Sequence, residues 1–95
     1  MTKQEFGKFA MAMKTYYPRE SSLLPNNQTM ELWFCQLNDL DYITAERALN
    51  NWVKVNKWSP TIAEIRAAVE EEKQQQKLAR LFENDFLLLE VEQDG

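Results

Sequence analysis

The densest group of reactive side chains in the sequence is a run of three glutamates at residues 70–72. Carboxylates can bind a divalent cation when they converge on it. Consecutive positions on a helix instead point about 100° apart, so three neighbouring side chains diverge. Helix geometry therefore favours a solvated acidic face over a metal site at these residues.

Other kinds of reactive site lack the residues that they need. The sequence has no histidine, one cysteine (Cys35) and two glycines. Zinc sites, disulfide frameworks and imidazole catalysis are excluded, and a phosphate-binding P-loop needs glycines that this chain cannot supply. Cys35 has no histidine or second thiol beside it, so we expect a small buried side chain. These observations predict a protein that is not an enzyme and takes no cofactor or metal.

The elements that would position functional residues are helices, because apolar side chains recur at three- and four-residue steps. Thr2 and Glu5 form a capping box at the start of the first helix, and Pro18 ends it. Asn27 and Asp41 are residue types that cap helices, so they predict the starts of the second and third helices. With so few turn residues, sandwiches, barrels and Rossmann units are poor fits.

The fourth helix has the strongest start signal in the chain. Pro60 is followed by Thr61 and Glu64, which form a second capping box. No further glycine or proline interrupts the segment, so one helix can extend over residues 62–89. A break near Asn84 is the alternative interpretation. At about 1.5 Å per residue, an unbroken helix would be roughly 40 Å long.

The pattern predicts an all-α fold, a small bundle of three to four helices with a long C-terminal amphipathic helix. We expect residues 1–69 to form the bundle domain and residues 70–95 to form an extension, continuous with the fourth helix in the unbroken reading. Trp58 and Tyr17 stand at predicted helix ends, where packing is favoured over a partner-facing role. The predicted core comprises the residues on the apolar stripes: Phe6, Phe9, Met13, Trp33, Leu37, Leu49, Trp52, Ile62 and Ile65.

The C-terminal extension has an apolar stripe of its own. It begins with a stretch in which every side chain is polar, EEEKQQQK, and then returns to helical apolar spacing. The stripe could fold back on the bundle, pair with a second copy as a coiled coil, or bind in a groove of another protein. Its residues are Leu78, Leu81, Phe82, Phe86 and Leu89.

The charge distribution argues against a role in coating nucleic acid. The net charge is −4, and residues 61–95 carry nine acidic and four basic side chains. The third and fourth helices could be mistaken for a helix-turn-helix, but the glutamates of the fourth helix would be repelled by the DNA backbone. Three lysines spaced along the first helix do not by themselves support DNA binding.

The sequence gives no sign of export or of membrane insertion. The first residues, MTKQEFGKFAMAMK, contain no apolar run like that of a signal peptide. The longest apolar run, residues 86–89, is far shorter than the roughly 20 residues that span a bilayer. We therefore expect an intracellular protein with no membrane partner.

Several motifs, in this order and spacing, resemble the small phage helicase loader/inhibitor proteins of Gram-positive hosts. Together they span residues 1–69, and the last of them is the most specific. They are Met1-Thr2-Lys3 with Glu5; Tyr17-Pro18; Trp33 and Leu37; Leu40-Asp41-Tyr42; Ala45 and Ala48; and Ser59-Pro60-Thr61-Ile62-Ala63-Glu64-Ile65-Arg66.

The resemblance implies a function that the residues alone do not reveal. Members of this family are not enzymes: they bind the hexameric replicative helicase, hold it inactive and deliver it to an origin-bound initiator protein. It implies further that the bundle meets the initiator and that a C-terminal segment binds the helicase. We expect a mainly monomeric free protein in the host cytoplasm that makes no direct contact with nucleic acid. The helicase-binding residues would then be Leu78, Leu81, Phe82, Phe86 and Leu89, with Glu70, Glu71 and Glu72 beside them.

Two other functions remain open at this point. One is a small DNA-binding replication or transcription factor, which would shift DNA in a gel with no partner present. The other is a self-associating helical interaction protein, which light scattering would show as a dimer or larger assembly.

Overall fold

The computed structural model describes the backbone of residues 1–94 and the side chains of residues 1–83. Within that range the chain forms four helices and no strand, which confirms the predicted all-α class. The helices are α1 (Lys3–Tyr16), α2 (Asn27–Leu37), α3 (Tyr42–Val55) and α4 (Ile62–Asp94). The backbone of α4 is helical through position 84, so the unbroken helix is observed rather than the alternative break.

Both predicted capping boxes are present and begin α1 and α4. The Glu5 amide donates to the Thr2 hydroxyl at 3.1 Å, and the Thr2 amide donates to the Glu5 carboxylate at 2.8 Å. The Thr61 and Glu64 pair is built the same way, with distances of 3.0 and 3.2 Å. Each box satisfies amides that the first turn of a helix leaves without an internal partner.

The other two helices begin at side-chain caps as well. Asp41 accepts from the Thr44 amide at 3.0 Å and from its hydroxyl at 2.9 Å, as the sequence predicts, and these bonds lower the pKa of Asp41. At α2 the prediction was wrong by one residue. Asn26, and not Asn27, is the cap, because its side chain accepts from the Thr29 amide at 2.8 Å.

The core lies where α3 packs along α4 and α1, while α2 closes it against α1 and α4. Three of the residues predicted for the core, Trp33, Trp52 and Ile62, are only partly buried. The rest of that prediction is buried: Phe6, Phe9, Met13, Leu37, Leu49 and Ile65. Leu24, Leu40 and Val69 are buried with them.

Cys35 lies on the surface, so the prediction of a buried cysteine was wrong. Leu37, two positions further along α2, is fully buried. Two positions on a helix are about 200° apart, so the face that buries Leu37 turns Cys35 toward solvent. The apolar character of a thiol did not decide its place, because the face of the helix did.

Two polar contacts fix the turn between α2 and α3. The amino group of Met1 donates to the carbonyls of Asn38 and Leu40, both at 2.6 Å. From α4, the Arg66 guanidinium donates to both carboxylate oxygens of Asp39 at 2.8 Å. These hydrogen bonds lower the pKa of Asp39 to about 2. The turn is therefore tied both to the chain start and to the fourth helix.

Candidate partner-binding surfaces

Helix α4 carries two apolar faces, only one of which is used by the bundle. Ile65 and Val69 are 3% and 0% exposed and form part of the core. Further along the same helix, three large apolar side chains face solvent, and we call them the apolar strip. They are Leu78, Leu81 and Phe82, with exposed fractions of 54%, 52% and 71%.

The apolar strip points away from the bundle because of its spacing from the core residues. Leu78 follows Val69 by nine positions, which at about 3.6 residues per turn is two and a half turns. The two side chains therefore leave α4 on opposite sides. The sequence pattern showed two stripes but not their relative direction, which depends on the helix being unbroken between them.

Contacts between α4 and the rest of the bundle continue past residue 69. The Asn51 amide of α3 donates to the Glu72 carboxylate at 3.1 Å. A shallow cleft between α3 and α4 reaches as far as Gln75 and has Trp52 as its aromatic wall. The division of the chain at residue 69 stays a prediction, while these contacts show where α4 is supported by α3.

The three consecutive glutamates do not converge. Glu72 binds Asn51, Glu71 lines the cleft on the α3 side, and Glu70 lies 3.7 Å from Lys73 on its own helix. Within residues 1–83 no cluster of acidic or cysteine side chains could hold a metal ion. The side chains of Phe86 and Leu89, the other predicted helicase-binding residues, lie outside the described residues.

A second surface, which the sequence interpretation missed, lies at the corner between α3 and α4. Trp58 is 72% exposed there and lines a cleft together with Tyr16 and Arg19. Tyr17, predicted to pack, is indeed buried. The available signal was that two short segments, Tyr16 to Arg19 and Lys57-Trp58, each place aromatic rings beside a cation.

Comparison with known protein families decides the assignment. The family model for the N-terminal domain of a phage helicase loader/inhibitor matches residues 1–66, which include α1, α2, α3 and the first turn of α4. The chain belongs to this family. The resemblance seen in the sequence motifs is therefore confirmed.

Membership of the helicase loader/inhibitor family sets the general role of the chain. It is a phage DNA-replication protein that interacts with the replicative helicase, and the family is not one of catalytic enzymes. The family match ends before the acidic run and before the apolar strip. Comparisons with curated proteins and with solved structures found no match.

None of the helices, over the part that the structure describes, is both long enough and apolar enough to cross a membrane.

Proposed function

We propose that the protein binds the hexameric replicative helicase, holds it inactive and delivers it to an origin-bound initiator. The observation that supports this function is the match of residues 1–66 to the family of phage helicase loader/inhibitor proteins. The bundle of residues 1–69 and the extension of residues 70–95 then have separate tasks. The extension binds the helicase, and the bundle meets the initiator.

The apolar strip is the part of the extension best suited to hold the helicase. Leu78, Leu81 and Phe82 are all more than half exposed and have no bundle surface to cover them. Full burial of a leucine or phenylalanine side chain contributes about 1.5–3 kcal/mol. An amphipathic helix in an apolar groove of the helicase would therefore gain affinity from this strip. In sequence, Phe86 and Leu89 continue its spacing.

Inhibition requires that the protein bind one helicase state better than another. A ligand shifts a conformational equilibrium only by the difference between its affinities for the two states. The helicase state that it favours must be one that cannot engage single-stranded DNA. Binding of the initiator then has to weaken that contact, and by linkage the helicase weakens initiator binding by the same factor.

The test is a double substitution in the apolar strip, Leu78→Ala with Phe82→Ala. We expect the bundle to keep its thermal midpoint, because neither side chain contributes to the core, while co-purification of the helicase is lost. A matched control is Leu32→Ala with Ile43→Ala, which removes two equally exposed apolar side chains from the bundle. The control is expected to retain the helicase.

Retention of the helicase by the strip variant would remove the extension from the mechanism. Binding of DNA by the free protein, or a stable dimer in light scattering, would favour the DNA-binding or the self-associating alternative instead. Delivery is tested separately by adding purified initiator to the helicase complex. We expect the helicase to be released onto single-stranded DNA and to resume unwinding.

A further inference from the structure

The Trp58 cleft is the most developed concave surface of the bundle that the helicase-binding proposal leaves unused. It lies where the end of α1 meets the α3–α4 corner, and its volume is about 470 Å³. We define it by the side chains that face it: Tyr16, Pro18, Arg19, Lys57 and Trp58. The Trp58 ring is 72% exposed and Tyr16 is 47% exposed. An indole so exposed contributes little to the fold of the protein that carries it.

The backbone that carries Trp58 is held in place by hydrogen bonds from three directions. The indole nitrogen of Trp52 donates to the Trp58 carbonyl at 2.8 Å. The buried Tyr17 donates its hydroxyl to the Asn56 carbonyl at 3.0 Å. Ser59 donates to Glu20 through its amide and its hydroxyl, at 2.7 and 2.8 Å. An exposed aromatic ring on a preorganised backbone can bind a partner with little further loss of conformational entropy.

The cleft carries positive charge that is not neutralised within the bundle. Arg19 and Lys57 line it and form no ion pair among the described residues. The one carboxylate in the lining belongs to Glu20, and both of its oxygens accept hydrogen bonds from Ser59. The available charges that face solvent are therefore cationic.

The positive surface continues from the cleft along α3. The Tyr16 hydroxyl donates to the side chain of Asn50 at 3.2 Å. Arg47 and Lys54 stand three positions before and four positions after Asn50, so they share its face of α3, and both are exposed. Glu46, at the far end of this face, is hydrogen-bonded to Tyr42.

We propose that the Trp58 cleft is a docking site for an acidic segment of a second protein partner, one that also buries an apolar side chain against Trp58. Tryptophan, tyrosine and arginine are the residues that most often dominate binding energy at protein interfaces. Charge complementarity selects the partner: Arg19 and Lys57 require carboxylates opposite them. The inference rests on the proposed function, in which the bundle has a partner other than the helicase.

The positions of the two surfaces allow both partners to bind at once. Leu78 lies sixteen residues after the first residue of α4, which is about 24 Å along the helix. The Trp58 cleft precedes that helix. A partner that occupies the cleft therefore leaves the apolar strip accessible, which a handover between two proteins requires.

A nucleic-acid ligand is less well supported by the same residues. Only two cations line the cleft, whereas sites for single strands follow the backbone with a continuous positive groove. The net charge of −4 also opposes association with a polyanion. DNA is nevertheless one arm of the test, because aromatic rings beside cations can stack on bases.

The test measures binding of the full-length chain to the purified initiator protein of the same phage. Trp58→Ala and the charge reversal Arg19→Glu with Lys57→Glu are each expected to weaken that binding at least tenfold. The loss is expected to shrink at high salt for the charge reversal but not for Trp58→Ala. Trp58→Phe, which keeps an aromatic ring, is expected to recover most of the affinity. Co-purification of the helicase should be unchanged in every variant.

The matched control is Lys8→Glu with Lys14→Glu, which changes the charge equally on an exposed part of α1 away from the cleft lining. Equal weakening by this control, or undiminished initiator binding in the cleft variants, would overturn the docking site while leaving the proposed function intact. Failure of the unmodified chain to bind the initiator would overturn both the delivery step and this inference. Binding of an oligo(dT) strand that the cleft variants lose, or self-association that they lose, would overturn it by assigning the surface to DNA or to a second copy.

Discussion

At the scale of single residues, Leu24 shows how an irregular segment is anchored. It is the one non-glycine residue in residues 1–94 with a positive φ, 49°, and its side chain is only 2% exposed. A left-handed conformation costs a leucine roughly 1–2 kcal/mol. Burial of the side chain in the core offsets that cost, and the loop between α1 and α2 is held against the bundle as a result.

We predict that Leu24→Ala lowers the free energy of unfolding by about 2–4 kcal/mol, because it removes a buried side chain and leaves the strained backbone without compensation. Urea denaturation would measure the change. Leu32→Ala, at a leucine that is 62% exposed, serves as control and should change stability by less than about 0.5 kcal/mol. A loss below about 1 kcal/mol at Leu24 would show that the loop is not anchored through this side chain.

Asp39 is the residue whose ionisation should matter for stability. Its hydrogen bonds to Arg66 lower its pKa from 3.8 to about 2 in the folded chain. A group whose pKa is lowered by folding stabilises the folded state above its unfolded pKa, and this stabilisation is lost as the pH falls through the folded pKa.

We therefore predict that Asp39→Asn is less stable than the unmodified protein at neutral pH, and that the difference declines below about pH 4 and is nearly gone at about pH 2. Urea midpoints for both proteins across this range would measure it. Asp39 is solvent-exposed, so the effect should also decrease at high salt. A difference that is independent of pH would assign the loss to packing and not to charge.

At the scale of elements, α4 joins two functions in one helix. Its first turns bury Ile65 and Val69, and its later turns expose the apolar strip on the opposite side. The direction of the strip is set by the helical phase, which starts at the Thr61 capping box. The cap therefore matters for the position of a surface that begins some four turns away.

We predict that Thr61→Ala destabilises the bundle by about 1 kcal/mol, since it leaves an amide of the first turn of α4 without its acceptor. Thermal denaturation followed by circular dichroism would measure the shift. Thr15→Ala is the control: it removes a hydroxyl that donates to the Met11 carbonyl within α1 and no cap. Equal shifts for the two variants would show that the capping box contributes nothing beyond a local hydrogen bond.

At the scale of the whole molecule, charge is separated along an elongated shape. The molecule is 62 Å long and 26 Å wide. Residues 1–66 carry eight basic and seven acidic side chains, whereas residues 67–95 carry three basic and eight acidic ones. The bundle is therefore nearly neutral with a positive cleft, and the extension is strongly acidic. Under the proposed function, an acidic extension could repel DNA from the helicase or occupy its basic surface.

We predict that Glu70→Gln, Glu71→Gln and Glu72→Gln together weaken helicase inhibition more at low salt than at high salt. The screening length falls from about 30 Å at 0.01 M salt to about 3 Å at 1 M. Glutamine at position 72 can still accept a hydrogen bond from Asn51, so α4 should keep its support from α3. An unwinding assay at the two salt concentrations measures the effect. Equal effects at both would contradict an electrostatic contribution.

The sequence by itself determined the features that depend on near neighbours. Three of the four helix starts were predicted at the correct residue, because a cap is a hydrogen bond between groups three positions apart. The choice between Asn26 and Asn27 was the exception, since two identical cap residues stand side by side. The phase of the apolar spacing likewise predicted most of the core, and the motif order predicted the family.

Only the tertiary structure decided what depends on contacts between distant segments. The Trp58 cleft brings residues near position 17 together with residues near position 58, and no local pattern encodes that proximity. The exposure of Cys35 follows from which face of α2 meets the core, and the outward direction of the apolar strip follows from where α3 supports α4. Caps and spacing act within one helix, while surfaces form between helices, and so the candidate sites were the part that the sequence left open.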